Sequence, residues 1–180
     1  KCVDSNELFI DGLEIPVEDR IGEEGKGFKY ILHGMNPERI LLASEAVGVG
    51  RVALAKAAAY AKERVVFDRP IGQNQSIQHP LAKNWVELEA ARLMVMKAAW
   101  LYDNGRECGA EANAAKYFAA EAGFRACEQA ILTHGGMGYS KEFHVERYLR
   151  EIMIPRIAPV SREMILSYIA ERVLGLPKSY

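Results

Sequence analysis

Apolar side chains return every three or four residues through most of this chain, and that period dictates helices. It is plainest where Leu81, Trp85, Leu88, Val95, Ala99 and Tyr102 fall on one stripe. The stripe predicts a helix capped by Ser76, irregular at its entry because of Pro80, and ended by Asn104-Gly105. Trp85 is expected in its core rather than stacked on a ligand. An earlier long helix is predicted through Ile40, Leu41, Val47, Val52 and Tyr60 to about Arg64. Asn36 is its expected N-cap and Pro37 its first helical residue, with residues 28–35 an apolar turn before it. A third long helix runs from Ala110 to about Thr133, with Tyr117, Phe124, Cys127 and Ile131 on one face. Val145, Tyr148, Leu149 and Ile152 mark a shorter helix that Pro155 breaks. A last helix covers residues 162–173 and stops at Gly175 and Pro177. Three long helices and two shorter ones, joined by short loops, predict an all-α antiparallel helical bundle.

The first 27 residues read differently. Leu8-Phe9-Ile10, then Leu13 and Ile15 across Asp11-Gly12, predict a strand, a turn and a short strand. So little strand makes no sheet of its own. It is therefore expected to be the short β segment left from a preceding β-domain, with the helical domain at residues 28–180. Residues 20–27 are glycine-rich but carry Glu23 and Glu24 and lack phosphate-loop spacing, which fits a solvated linker. Lys1-Cys2-Val3-Asp4 reads as the interior of a longer chain. The three cysteines, Cys2, Cys108 and Cys127, form no metal or disulfide framework, and a reducing compartment is expected. A net charge of −1 argues against nucleic acid as a partner, and no apolar run reaches the length of a membrane span.

Two local features bear on function. His134-Gly135-Gly136-Met137-Gly138-Tyr139 ends the third helix. By itself such a cluster is most simply a helix C-cap and a tight turn. Together with Arg64-x-x-Phe67 and Gln75, it also suits a phosphate-rich cofactor, because glycine lets a ligand approach the backbone and arginine pairs with phosphate. The second feature is Glu38. In the first turn of a helix, an acid is explained by the helix dipole alone.

The motifs in order are Arg64-Val65-Val66-Phe67, Pro70-Ile71-Gly72, Gln75, the glycine turn, and Val145-Glu146-Arg147. They resemble the C-terminal domain of acyl-CoA dehydrogenases, in which a glutamine follows the arginine by eleven residues, as here (75 − 64 = 11). Asn6-Glu7-Leu8-Phe9-Ile10-Asp11-Gly12 and the segment 22–28 resemble that family's passage from β-domain to helical domain.

The resemblance implies FAD as cofactor, an acyl-CoA thioester as substrate, and α,β-dehydrogenation by proton abstraction and hydride transfer to the flavin. Many members carry the base in an E-G-T loop before the last helix. Here that place reads Pro159-Val160-Ser161, and proline is no base. In isovaleryl- and long-chain-like members the glutamate lies on the first long helix, twenty-six residues before the FAD arginine. Glu38 stands there (64 − 38 = 26), followed by Arg39. The resemblance therefore makes Glu38 the expected base, with Asn36 and Arg39 on the substrate. Glu163, or a carboxylate outside this chain, is the alternative base. Arg64, Phe67, Gln75, Leu132, Thr133, His134, Gly135, Gly136, Ser161 and Glu163 are the implied cofactor residues, and no metal is implied. An apolar acyl chain and flavin closing over Glu38 raise its basicity, while the helix start and Arg39 lower it. The resemblance further implies a homodimer or homotetramer, electron-transferring flavoprotein as acceptor, and a bacterial cytoplasmic or mitochondrial matrix location. It leaves open the acyl chain, an oxidase in place of a dehydrogenase, and a scaffold module that keeps the fold without the chemistry.

Overall fold

The computed structural model describes residues 6–179. Its main elements are three long helices, α1 (Gly27–Glu63), α2 (Gln75–Asp103) and α3 (Gly109–His134). The short helices α4 (Gly136–Tyr139), α5 (Val145–Glu151), α6 (Ile154–Ile157) and α7 (Arg162–Tyr168) follow, the last continuing as a π-helical turn over Ile169–Val173. Between α1 and α2 lies an antiparallel hairpin, β1 (Val65–Val66) and β2 (Arg69–Pro70), with Val65 opposite Pro70 and Val66 opposite Arg69. The architecture is the all-α antiparallel bundle that the periodicity predicts, with α3 packed along both α1 and α2.

The core is made largely of alanine. Ala112, Ala115, Ala119, Ala122, Ala126 and Ala130 line α3 and are sealed from solvent. Ala43, Ala46, Ala53 and Ala57 answer them from α1. Small side chains let the axes approach, and at the tightest point Gly50 of α1 meets Gly123 of α3. A Cβ built on Gly123 would stand 2.7 Å from the Ala46 carbonyl oxygen and 2.8 Å from Ile152 Cδ1. Leu88 and Val95 of α2 and Val145 and Ile152 from the α5 region complete the core.

Helix ends follow their local chemistry. Gly105 takes φ +64° after α2, where the Asn104 amide donates to the Trp100 carbonyl at 2.7 Å. Gly135 takes φ +60° after α3, and its N–H closes on the Ile131 carbonyl at 3.0 Å. Both take positive φ, which glycine adopts without strain. Ser161 caps α7 by accepting the Met164 N–H at 3.3 Å.

Four expectations need correction. Residues 6–16 form no strand, and the short ladder lies instead at residues 65–70. The segments flanking Gly12 are exposed and have no neighbouring strand among the described residues to complete a ladder. Asn36 and Pro37 do not open α1, which starts ten residues earlier at Gly27 and runs through Pro37. Proline removes one helical hydrogen bond and not the helix when the flanking turns are held. Glu38 therefore sits inside α1, and the first-turn explanation for it is withdrawn. Trp85 is not core. It is 59% exposed, because the buried side of α2 follows Asn84, Leu88, Ala91, Val95 and Ala98, so Trp85 lies off that face. The cap of α2 is at Asn74 rather than Ser76.

Candidate functional site

The site residues fall at two places joined by α1. At its C-terminal end, Tyr60, Arg64, Val66 and Ile71 face Leu132, Thr133, His134, Gly135, Gly136 and Met137 across a cleft of about 420 Å³. Arg64 leaves the helix in an extended conformation, and its carbonyl accepts the Ile71 N–H at 2.8 Å, which closes the base of the hairpin. A Cβ on Gly72 would lie 2.8 Å from the Ala61 carbonyl oxygen, so this glycine lets the hairpin seat on α1.

The opposite wall is stiff. His134 is buried and stacks on Tyr60 with ring centroids 4.4 Å apart, and Phe143 meets Tyr60 edge-on at 5.5 Å. Nδ1 of His134 donates to the Ala130 carbonyl at 2.7 Å. The glycines divide the labour of the turn. A Cβ on Gly138 would strike the Ile131 carbonyl oxygen at 2.5 Å, whereas one on Gly135 or Gly136 meets nothing within 4 Å. Gly138 thus serves packing, and the other two leave open room. The side chain of Arg64 has no carboxylate partner within the described residues. An unpaired guanidinium across from uncluttered backbone fits a pyrophosphate group.

The sequence reasoning also assigned Phe67 and Gln75 to this region. Phe67 is at the hairpin tip, 93% exposed, with φ +52°, followed by Asp68 at φ +61°. Gln75 is exposed at the start of α2. Neither lines the cleft.

The second place lies about a third of the way along α1. Arg39 donates from Nη1 to Asn36 Oδ1 at 3.1 Å, while its buried Nε has no partner among the described residues. Burial lowers the affinity of this guanidinium for its proton, and Tyr168 and Glu38 partly offset that. Asn36 also borders a polar cleft of about 640 Å³ whose other walls include His33, Tyr102, Arg106 and Cys108. Glu38 is exposed beside Arg39 and takes part in no hydrogen bond or ion pair among the described residues.

The loop at 158–161 approaches from the other side. Its Val160 carbonyl accepts a hydrogen bond from Lys116 Nζ at 2.6 Å. Glu163 follows, accepting from Arg162 Nε at 2.7 Å, a bond that holds its carboxyl below the usual range. Both Arg39 and Glu163 act electrostatically on Lys116, so α1 and the 158–163 segment meet around that ammonium. Lys116 is absent from the residues the sequence singled out. The signal was its register, since 112, 115, 116 and 119 share the buried side of α3, and a lysine among alanines there needs a polar partner. Glu121, which receives Arg156 at 2.9 Å and Arg162 at 3.4 Å, anchors the same region and was also missed. The described residues hold no His/Cys/Asp/Glu cluster able to bind a metal, and no helix among them is long and apolar enough to cross a membrane.

Fold and clefts together define a helical domain in which the glycine turn after α3 faces Arg64 at the C-terminal end of α1, while Glu38 lies inside α1, about a third of the way along it. Residues 25–174 match the model of the acyl-CoA dehydrogenase C-terminal domain, and the chain belongs to that family. It is 46% identical over 176 residues to acyl-CoA dehydrogenase FadE12 of Mycobacterium tuberculosis, covering 97% of this chain and 45% of that protein. Among solved structures, butyryl-CoA dehydrogenase of Megasphaera elsdenii superposes with a TM-score of 0.86 at 37% identity, over 89% of this chain and 42% of that one. The FAD complex of PigA gives a TM-score of 0.85 at 32% identity, over 90% and 42%. The chain thus spans under half the length of these relatives.

Proposed function

We propose that this chain is the helical domain of a flavin-dependent acyl-CoA dehydrogenase in which Glu38 removes the α-proton of an acyl-CoA thioester. The observation that carries the choice of base is the contrast between two carboxylates. Glu163 is tied to Arg162 and held in its ionised, weakly basic state. Glu38 has no such tie among the described residues and stands beside Arg39. Asn36 and Arg39, already joined to each other, would orient the acyl and pantetheine portion.

The residues fit FAD as cofactor. Arg64 would pair with the pyrophosphate, with Leu132, Thr133, His134, Gly135 and Gly136 presenting backbone to it. Phe67 and Gln75 would meet the adenosine side of a flavin held by a second copy. Ser161 would bond the flavin of its own copy, with Glu163 beside it. When bound, the flavin supplies the acceptor for the β-hydride. A closing acyl chain excludes water from Glu38 and raises its basicity when the proton must leave. Electron-transferring flavoprotein is the proposed acceptor of the electrons, and the assembly a homodimer or homotetramer.

The test is Glu38→Gln in the flavin-loaded protein. The variant keeps the shape and removes the base. It is expected to fold, hold flavin and bind acyl-CoA, yet lose on the order of 10²–10⁴ in the rate of anaerobic flavin bleaching. Bleaching at the wild-type rate would remove Glu38 from the mechanism. Absence of bleaching in the wild type with short, branched and long acyl-CoA would leave a scaffold that keeps the fold alone.

A further inference from the structure

We propose that Lys116 is a positioning residue for the loop at 158–161: its ammonium, sealed inside the bundle and donating to the Val160 carbonyl at 2.6 Å, fixes where that loop stands relative to Arg39 of α1. Its bearing on catalysis rests on the proposed function, but the clamp itself does not.

Lys116 is 1% exposed and lies in a helix face built mostly of alanine, with the buried Asn113 one turn before it. An ammonium withdrawn from water is destabilising unless its N–H groups find partners. The partner here is a main-chain carbonyl of a loop, forty-four residues away in sequence. Glu121 ties the flanking Arg156 and Arg162, but within the loop itself Lys116 makes the one side-chain bond from α3 among the described residues. Ala158, Pro159, Val160 and Ser161 are only half-buried, and Ser161 is spent on capping α7. A buried cation that reaches out to one loop carbonyl fixes a position more than it fills space, since alanine or leucine at 116 would fill the core with no such cost.

The charges around Lys116 come from both flanking elements. Arg39 of α1 repels it and Glu163 of α7 attracts it, while Glu38 and Tyr168 act on Arg39 in turn. Burial dominates, with Arg39 adding to it, and the group titrates at about 8 instead of 10.5. The ammonium is therefore charged below about pH 8 and neutral above it. Deprotonation replaces a charge-assisted hydrogen bond with an ordinary one, so the loop loosens as pH rises. Global stability moves the other way. The unfolded chain keeps this proton up to about 10.4, so between about 8 and about 10.4 this group favours the folded state increasingly with pH. A loop that loosens while the fold firms is the signature of a clamp.

Amide hydrogen exchange at Met164 and Ile165, whose N–H groups bond to Ser161, reads the loop directly, followed from about pH 6.5 to about pH 9.5 and corrected for intrinsic rates. The wild type is expected to lose protection there several-fold through a midpoint near 8, with the centre of α3 unaffected. Lys116→Met is expected to lack both the protection and the step. Lys116→Arg is expected to restore the protection without the step, because guanidinium does not titrate in this range. A wild type with no step, or a folded Lys116→Met with wild-type protection, would overturn the proposal. If Lys116→Met does not fold, the wild-type titration decides by itself. Because neither flavin nor acyl-CoA is involved, failure of the Glu38 assignment leaves this result unchanged.

Discussion

At the scale of single residues, the glycines separate structure from function. Gly123 and Gly136 are both close to helix ends or contacts, yet their surroundings are opposite. A methyl on Gly123 meets a backbone oxygen that cannot swing away, so Gly123→Ala is expected to destabilise by about 1–3 kcal/mol and lower the melting temperature. A methyl on Gly136 meets nothing and its φ is not left-handed, so Gly136→Ala is expected to change stability by less than about 0.5 kcal/mol. It is nonetheless expected to lose flavin on dialysis, because the new side chain enters the cleft beneath Arg64. Thermal denaturation and the retained flavin absorbance, measured on the same two samples, check both statements. A Gly136→Ala protein that melts early but keeps its flavin would reverse the assignment.

At the scale of elements, what was legible depended on which physical signal was unopposed. The third helix was readable at both ends because Gly135 supplies a stop that no packing overrides. The start of the first was not, because Asn36-Pro37 is a strong local start signal that tertiary packing overruled, and α1 carries the proline in its interior. Trp85 was misplaced because it was read into the stripe with Leu81 and Leu88, whereas the buried side of α2 runs through Asn84, Leu88 and Ala91. The inner faces of α1 and α3 are mostly alanine, whose small side chains give weak periodicity. The pairing of Arg64 with the glycine turn was legible from phosphate chemistry and strengthened by the resemblance, whereas Lys116 went unnoticed for want of a motif. An alanine face also predicts how the bundle fails. Ala119→Leu is expected to cost about 1–3 kcal/mol, since α1 and α3 have no room to part without opening the Gly50–Gly123 contact. Urea unfolding measures it; a neutral result would show a looser interface than the burial implies.

At the scale of the whole molecule, α2 has a second apolar side that the bundle does not use. Trp85, Leu93, Met96 and Trp100 recur at helical spacing there, each more than half exposed, with Val86 adjoining. The acid among them, Glu89, lies 4.0 Å from both Arg51 and Arg92, so the stripe is close to neutral. An uncharged apolar stripe on a chain of net charge −1 suits another copy of itself better than an acidic polymer or lipid surface. Replacing Leu93 and Trp100 with aspartate is expected to convert the assembled protein to smaller species in light scattering. An unchanged mass would move the interface elsewhere.

The length of α1 has a genetic consequence. Glu38 lies inside it and Arg64 just past its C-terminal end, twenty-six residues on, a rise of about 39 Å at about 1.5 Å per residue. One flavin, with its ring and pyrophosphate joined by a short sugar chain, cannot lie against both of these residues in one copy. Each reaction centre would then draw its proton acceptor from one gene product and its phosphate anchor from another. Two alleles that are each dead, Glu38→Gln and Arg64→Ala, are therefore expected to complement when expressed together. In a mixed pair, one centre inherits both lesions and the other inherits neither. Recovered turnover in the co-expressed sample, absent when the two purified variants are mixed without subunit exchange, would register that division; no recovery after full exchange would place both residues at the same centre.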